Sequence, residues 1–167
     1  MRQLRSSVYV GRMKSATFTV VPLSTEIADK ARSAAKAGKT DHSTITVEKE
    51  NTAPCRHCLR WANSGERVIL FPYASIAAGR PYSESGPIFV HAESCARYTA
   101  TDKYPDAFRK GRVFRAYNSD CDMIDAVILD TTPPEEVIEG LFGDLETAFI
   151  HVRSLDRGCY TMEVTRA

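Results

Sequence analysis

Apolar and polar residues alternate over several short stretches of this chain, and a two-residue period predicts strands. Residues 16–23 (ATFTVVPL) are rich in β-branched side chains and close with Pro22 and Leu23. Similar stretches fall at residues 44–47, 67–73, 87–91, 112–117, 123–130, 147–153 and 159–164. Two segments change to helical spacing. Ser24 offers an N-cap ahead of a stripe of Ile27, Ala31, Ala34 and Ala35, and Gly38 offers a stop. Thr132 offers a second cap before Pro133, Pro134, Glu135 and Glu136, followed by Val137, Ile138, Leu141, Phe142 and the stop Gly143. Residues 74–86 read as a loop, residues 94–111 as irregular or briefly helical around Pro105, and residues 118–122 as a hairpin turn. Strands and helices that do not alternate strictly predict an α+β fold: a single domain, a mostly antiparallel sheet and two main helices.

Strand parity sharpens this picture. Ile150 and Val152 point one way, and Phe149, His151 and Arg153 the other. Phe114 and Ala116 oppose Arg115 and Tyr117, while Tyr160, Met162 and Val164 oppose Cys159, Thr161 and Glu163. If these strands are neighbours, His151, Arg153, Arg115, Tyr117 and Cys159 line one concave surface. Otherwise that face is the solvated side of an antiparallel sheet.

Composition changes the picture mainly by exclusion. The chain has 167 residues, the size of one domain, with 43% hydrophobic and 26% charged residues and a net charge of +1. That balance gives no footprint for nucleic acid or an acidic membrane surface, and no run approaches the ~20 apolar residues of a membrane helix. Five cysteines cannot all pair internally, and no secretory signal is evident, so the expected compartment is the reducing cytoplasm. Arg2, Arg5, Arg12 and Lys14 precede the first acid, Glu26. Residues 1–15 therefore read as an N-terminal extension ahead of a domain over residues 16–167, with a start near Met13 expected. A homodimer is expected only as the commonest oligomer.

The candidate chemistry lies in thiols and imidazoles. Cys55, His57 and Cys58 fall in Pro-Cys-Arg-His-Cys-Leu; His91 and Cys95 are four apart; His151 and Cys159 flank the last turn. Cys55, Cys58, His91 and Cys95 make a Cys3His inventory with spacings a structural zinc site tolerates, although neither pair carries the glycines usual in a tight zinc knuckle. Cys55-x-x-Cys58 also matches redox spacing, but Asn63-Ser64-Gly65 leaves no room for the helix that thioredoxin-like motifs need. A third reading is an enzyme acting on a small anionic molecule. Arg56, Arg115 and Arg153 would hold the anion, His91 or His151 would move a proton, and Cys159 or Cys55 would serve as nucleophile. Tyr82 and Ser85 would line the mouth of that pocket, with Tyr117 beside it. The fourth reading keeps the same pocket for a small anion without turnover. His42 is expected to be exposed in a turn, Trp61 to be a core or edge anchor, and Cys121 to be unreactive between Asp120 and Asp122. The Asp120, Asp122 and Asp125 group lacks a calcium-loop pattern and reads as turn chemistry.

The chain from Cys55 onward resembles a bacterial family of small proteins of unknown function. The resemblance rests on Pro54-Cys55-Arg56-x-Cys58-Leu59, Gly65-Glu66, and Pro81-Tyr82-x-x-Ser85-Gly86-Pro87-Ile88-Phe89-Val90-His91. It continues through Arg115-Ala116-Tyr117, Ile150-His151-Val152 and Gly158-Cys159-Tyr160. It implies no substrate and no mechanism. It directs attention to Cys55, His91, His151 and Cys159, and gives Cys58 less weight.

Overall fold

The computed structural model describes residues 18–167. The basic segment and the extension expected over residues 1–15 lie outside the described residues. In chain order the elements are β1 (Phe18–Val21), α1 (Thr25–Lys36), β2 (Ser43–Thr46), β3 (Arg67–Ile76), β4 (Glu84–His91), β5 (Arg112–Tyr117), β6 (Met123–Ile128), α2 (Pro134–Phe142), β7 (Phe149–Ser154) and β8 (Tyr160–Arg166). A single 3-10 turn, Asp106–Phe108, interrupts the irregular stretch before β5. The α+β class, the single domain and the antiparallel pairing agree with the expectation. The strands, however, divide into two sheets, a five-stranded one in the order β1-β8-β7-β5-β6 and a three-stranded one in the order β2-β3-β4.

Local chemistry explains the helix ends. The Ser24 hydroxyl accepts the Ile27 N–H at 3.2 Å, satisfying one orphan donor of α1. Thr132 does not cap α2. Pro133 holds the cap position with no side-chain bond, and the Thr132 N–H donates to the Asp130 carboxylate at 2.8 Å. Thr132 is thus consumed by the turn before the helix. Pro134 begins α2, and Glu135 and Glu136 stand at its positive end as expected.

Among the described residues two larger cores form, beside a small cluster of Val47, Ala53, Ala62 and Val68. Phe114, Ile150, Val152, Met162 and Val164 pack against Val137, Ile138, Leu141 and Phe142 of α2. The second core joins α1, through Ala28 and Ala31, to Ile69, Phe71, Ile88 and Val90 of β3 and β4, and includes Cys55 and Tyr160. Full burial of each large apolar side chain contributes about 1.5–3 kcal/mol.

Further features depart from the sequence reading. The β3–β4 hairpin is longer than predicted: β3 runs to Ile76 and β4 begins at Glu84, so the loop shrinks to residues 77–83. In the β7–β8 pair, Val152 lies opposite Met162 but Arg153 opposite Tyr160, a bulge that absorbs Thr161. The bulge turns Tyr160 away from Met162 and Val164 and into the second core. His42 also differs from expectation: its side chain is 8% exposed and its ring stacks on Phe71, at 5.5 Å.

Candidate metal centre

A short hairpin builds half of the site. Ala62 N–H donates to Ala53 O at 2.9 Å, Pro54 bridges Trp61, and Cys55 N–H donates to Arg60 O at 2.9 Å. Residues 53–62 therefore fold back on themselves, with Cys55 and Cys58 at the tip. The turn closes through Leu59 N–H to Cys55 O at 3.0 Å, and Leu59 takes φ 54°. A leucine pays a steric cost in the left-handed region. Here its side chain is 3% exposed in the first core, and that burial offsets the strain. A tight cysteine knuckle thus exists without glycine.

The hairpin lies against β4. Cys55 bridges Phe89, Arg56 N–H donates to Phe89 O at 3.0 Å, and His91 N–H donates to Cys55 Sγ at 3.4 Å. This alignment brings the end of β4 and the segment after it to the knuckle. The ligand atoms of Cys55, Cys58, His91 and Cys95 all lie within 4.8 Å of one another. Cys58 Sγ is 3.5 Å from His91 Nδ1, and Cys55 Sγ is 4.0 Å from Cys95 Sγ. A tetrahedron with zinc–sulfur bonds of ~2.3 Å and a zinc–nitrogen bond of ~2.0 Å has edges of about 3.8 Å between sulfurs and about 3.5 Å between sulfur and nitrogen.

Neighbouring groups orient these ligands. His91 turns Nδ1 to the sulfurs and Nε2 toward Glu66 Oε2, at 3.4 Å. Glu66 is fixed by Arg60, at 2.8 Å to each oxygen, and by Asn63 N–H at 2.7 Å. Arg60 first and the Asn63 amide second hold the Glu66 carboxyl down at about 2, so it is ionised. From α1, Arg32 donates to His91 O at 3.0 Å and to Cys95 Sγ at 3.6 Å. His57 is not among the four. Its Nδ1 is 3.2 Å from Cys95 Sγ and its Nε2 is 2.9 Å from the Thr25 hydroxyl. With Cys95 as a thiolate, the matching tautomer carries its proton on Nδ1, donating to sulfur, and Nε2 accepts from the Thr25 hydroxyl.

The electrostatics of the cluster favour the thiolate on Cys55. Hydrogen bonds from Cys58 and Cys95 push the Cys55 thiol far down, while the same contact with Cys55 pushes Cys58 far up. His91 is raised to about 9, first by its bond to Cys55 and then by Cys95. Three sulfurs and an imidazole gathered within 4.8 Å are a donor set compatible with a soft or borderline metal ion.

A family match spans residues 52–166, which includes the whole cluster and both halves of its frame. The chain belongs to the family described as Protein of unknown function (DUF1203). No curated protein and no solved structure matches the chain. The DUF1203 stretch contains all four ligands and Glu66, whereas Arg32 and Thr25 come from α1, ahead of it. Among the described residues no helix is long and apolar enough to cross a membrane.

The other residues singled out in the sequence fall at two further places. His151, Arg115 and Glu163 are register partners on β7, β5 and β8, so they share one face. His151 is buried among Tyr117, Phe149 and Tyr160, with ring centroids 5.0–5.1 Å away. Arg153, 1% exposed, donates to Glu84 at 2.7 Å, to Gly158 O at 3.0 Å and to the Ser75 hydroxyl at 2.9 Å. Arg115 reaches the other oxygen of Glu84 at 3.5 Å. Glu84 therefore occupies the anion position that these two arginines were expected to offer. Tyr82 meets Tyr117 edge-on at 6.5 Å, and Ser85, beside Glu84, is exposed. Cys159 and Arg56 lie elsewhere, on a cleft between the knuckle and the β7–β8 turn. Sequence reasoning missed Glu84, Arg32 and Arg112, and placed Glu163 on a polar strand face without a role. Glu66 was visible only as part of the Gly65-Glu66 motif, because carboxylates that support other side chains carry no spacing rule of their own.

Proposed function

We propose that the protein binds one zinc ion through Cys55, Cys58, His91 and Cys95, and that the ion has a structural role. The observation that carries this reading is the convergence of four ligand atoms within 4.8 Å from three separate places in the chain. Four protein ligands complete a tetrahedral shell and leave no position for substrate. Thiolate-rich donors suit zinc over the hard cations calcium and magnesium. The Nε2–Glu66 contact fits the carboxylate–histidine arrangement that fixes a metal-bound imidazole. The ion would fasten the knuckle to the end of β4 and the loop beyond it, adding to the apolar packing of Cys55 on Ile88 and Val90.

Protein purified without chelator should contain about one zinc per chain. Cys55→Ser and Cys95→Ser should each lower that content at least tenfold. Cobalt in place of zinc should give the visible bands of a tetrahedral thiolate site. Free zinc a thousandfold above its Kd would stabilise the fold by about 4 kcal/mol, so chelation should lower Tm by several degrees. Wild-type protein that refolds in zinc, stays metal-free and has a chelator-independent Tm would end the proposal.

A further inference from the structure

A cleft of about 650 Å³ opens beside the knuckle, between β4, the start of β5 and the β7–β8 turn. Its lining carries four cations, Arg56, Lys110, Arg112 and Arg157, against one carboxylate, Asp156. Asp156 is itself bonded to the Ser154 hydroxyl. The two deepest cations are buried, Arg56 at 3% and Arg112 at 5% exposure. Arg56 donates Nε to Tyr160 O at 2.8 Å and Nη1 to Pro54 O at 2.5 Å, and neither acceptor carries charge. Arg112 donates Nη1 to Gly111 O at 3.2 Å, and its buried Nε has no partner. Its guanidinium rests over Phe108 at 4.9 Å and Trp61 at 5.6 Å, which orients it.

The contrast with other arginines is informative. Arg60, Arg109 and Arg153 each meet a glutamate within 2.8 Å. Among the described residues no carboxylate comes within ion-pair distance of Arg56 or Arg112. Removing a charge from water without a counter-ion is unfavourable by several kcal/mol. Rigid guanidinium forks with spare N–H groups suit a planar or tetrahedral oxyanion. Phe89 and Trp61 give the same cleft apolar walls.

We infer that this cleft is a binding site for a small organic phosphate, its oxyanion held by Arg56 and Arg112 and its apolar body set against Phe89 and Trp61. Lys110 and Arg157 at the rim add long-range attraction for the dianion. The cleft does not include the Cys3His cluster, although Arg56 and Trp61 belong to the hairpin that carries Cys55 and Cys58. Cys159 lines its wall, while His91, His151, Arg115 and Arg153 lie outside it.

The chain has one tryptophan, Trp61, on the cleft wall, so its fluorescence is a direct reporter. Zinc-replete full-length protein should be titrated with phenyl phosphate, inorganic phosphate and benzoate. Phenyl phosphate should give a saturable change with a Kd below about 1 mM. Inorganic phosphate, which lacks the apolar body, and benzoate, a monoanion with two oxygens that draws less on the four cations, should bind at least tenfold more weakly. Lys110→Gln with Arg157→Gln, both exposed and away from the core, should raise the Kd severalfold and flatten its salt dependence. Arg112→Lys keeps the charge and loses the fork, and should weaken binding at least tenfold. No saturable response to phenyl phosphate in a folded, zinc-loaded protein would overturn the assignment. An unchanged Kd in either variant would do the same. Metal content measured on the same samples keeps a failure of the zinc site distinct from a failure of this one.

Discussion

At the scale of single residues, the weight falls on Glu66. It touches no sulfur, yet it faces His91 Nε2 at 3.4 Å and is itself held by Arg60 and the Asn63 amide. Ligand imidazoles depend on such partners for their tautomer and orientation. Glu66→Gln should therefore keep the fold and the metal stoichiometry but weaken zinc affinity about 10–100-fold, measured by competition with a chromophoric chelator. Equal affinity in the two proteins would reduce Glu66 to a partner of Arg60. The cluster was legible because Cys-x2-Cys and His-x3-Cys are short spacings of the kind a metal site tolerates, and the fold brings the four side chains together. The geometry of the knuckle was not. A search for glycine at the left-handed position fails where Leu59 adopts φ 54° and is repaid by core burial, 3% exposed.

At the scale of elements, the β7–β8 bulge decides which side chains meet. Alternation placed Tyr160 with Met162 and Val164, but the extra residue at Thr161 reverses it, and Tyr160 stands edge-on to His151 at 5.1 Å. A bulge costs one residue of register and leaves no mark in the hydrophobic pattern, so parity was right along β5 and most of β7 and wrong at one end of β8. The β3–β4 hairpin was underestimated for a related reason. Its outer end carries Ala74, Ser85 and Gly86, which pair in the ladder, and Ser75, which the register skips; together they offer little apolar contrast. The missed end matters, because Glu84 there meets Arg153 of β7 at 2.7 Å and ties the two sheets together. Breaking a fully buried pair of this kind costs roughly 3–5 kcal/mol. Glu84 is 40% exposed, so Glu84→Gln should cost less, about 2 kcal/mol, read from the urea midpoint. A loss under ~0.5 kcal/mol would show that Ser75 and Gly158 alone satisfy the guanidinium.

At the scale of the whole molecule, the two sheets meet through a polar seam whose centre is His151. The groups facing it are Glu163 on β8, at 3.4 Å, Arg153 on its own strand and Glu84 on β4, with Tyr117, Phe149 and Tyr160 as ring neighbours. Burial is the largest influence and lowers the His151 pKa; Arg153 lowers it further, while Glu163 and Glu84 act the other way. The folded state thus keeps this imidazole neutral at pH values where the unfolded chain, with a histidine pKa of about 6.5, already binds a proton. The unfolded state then binds more protons, so stability is lost as pH falls below about 6.5 and until the folded pKa is reached. The slope from this one group is at most about 1.4 kcal/mol per pH unit. His57, also lowered by burial, adds a slope of the same sign, and acid release of a bound metal would add another. A variant separates them: His151→Phe retains a ring in the aromatic box and removes only the titration. Urea midpoints of zinc-loaded wild-type and His151→Phe protein, measured between about pH 7.5 and 5.5 to bracket the ordinary histidine pKa of ~6.5, should lie closest at the high end and separate toward the low end, where wild type falls away faster. Parallel curves would mean that the seam tolerates an imidazolium, with Glu163 supplying its counter-charge.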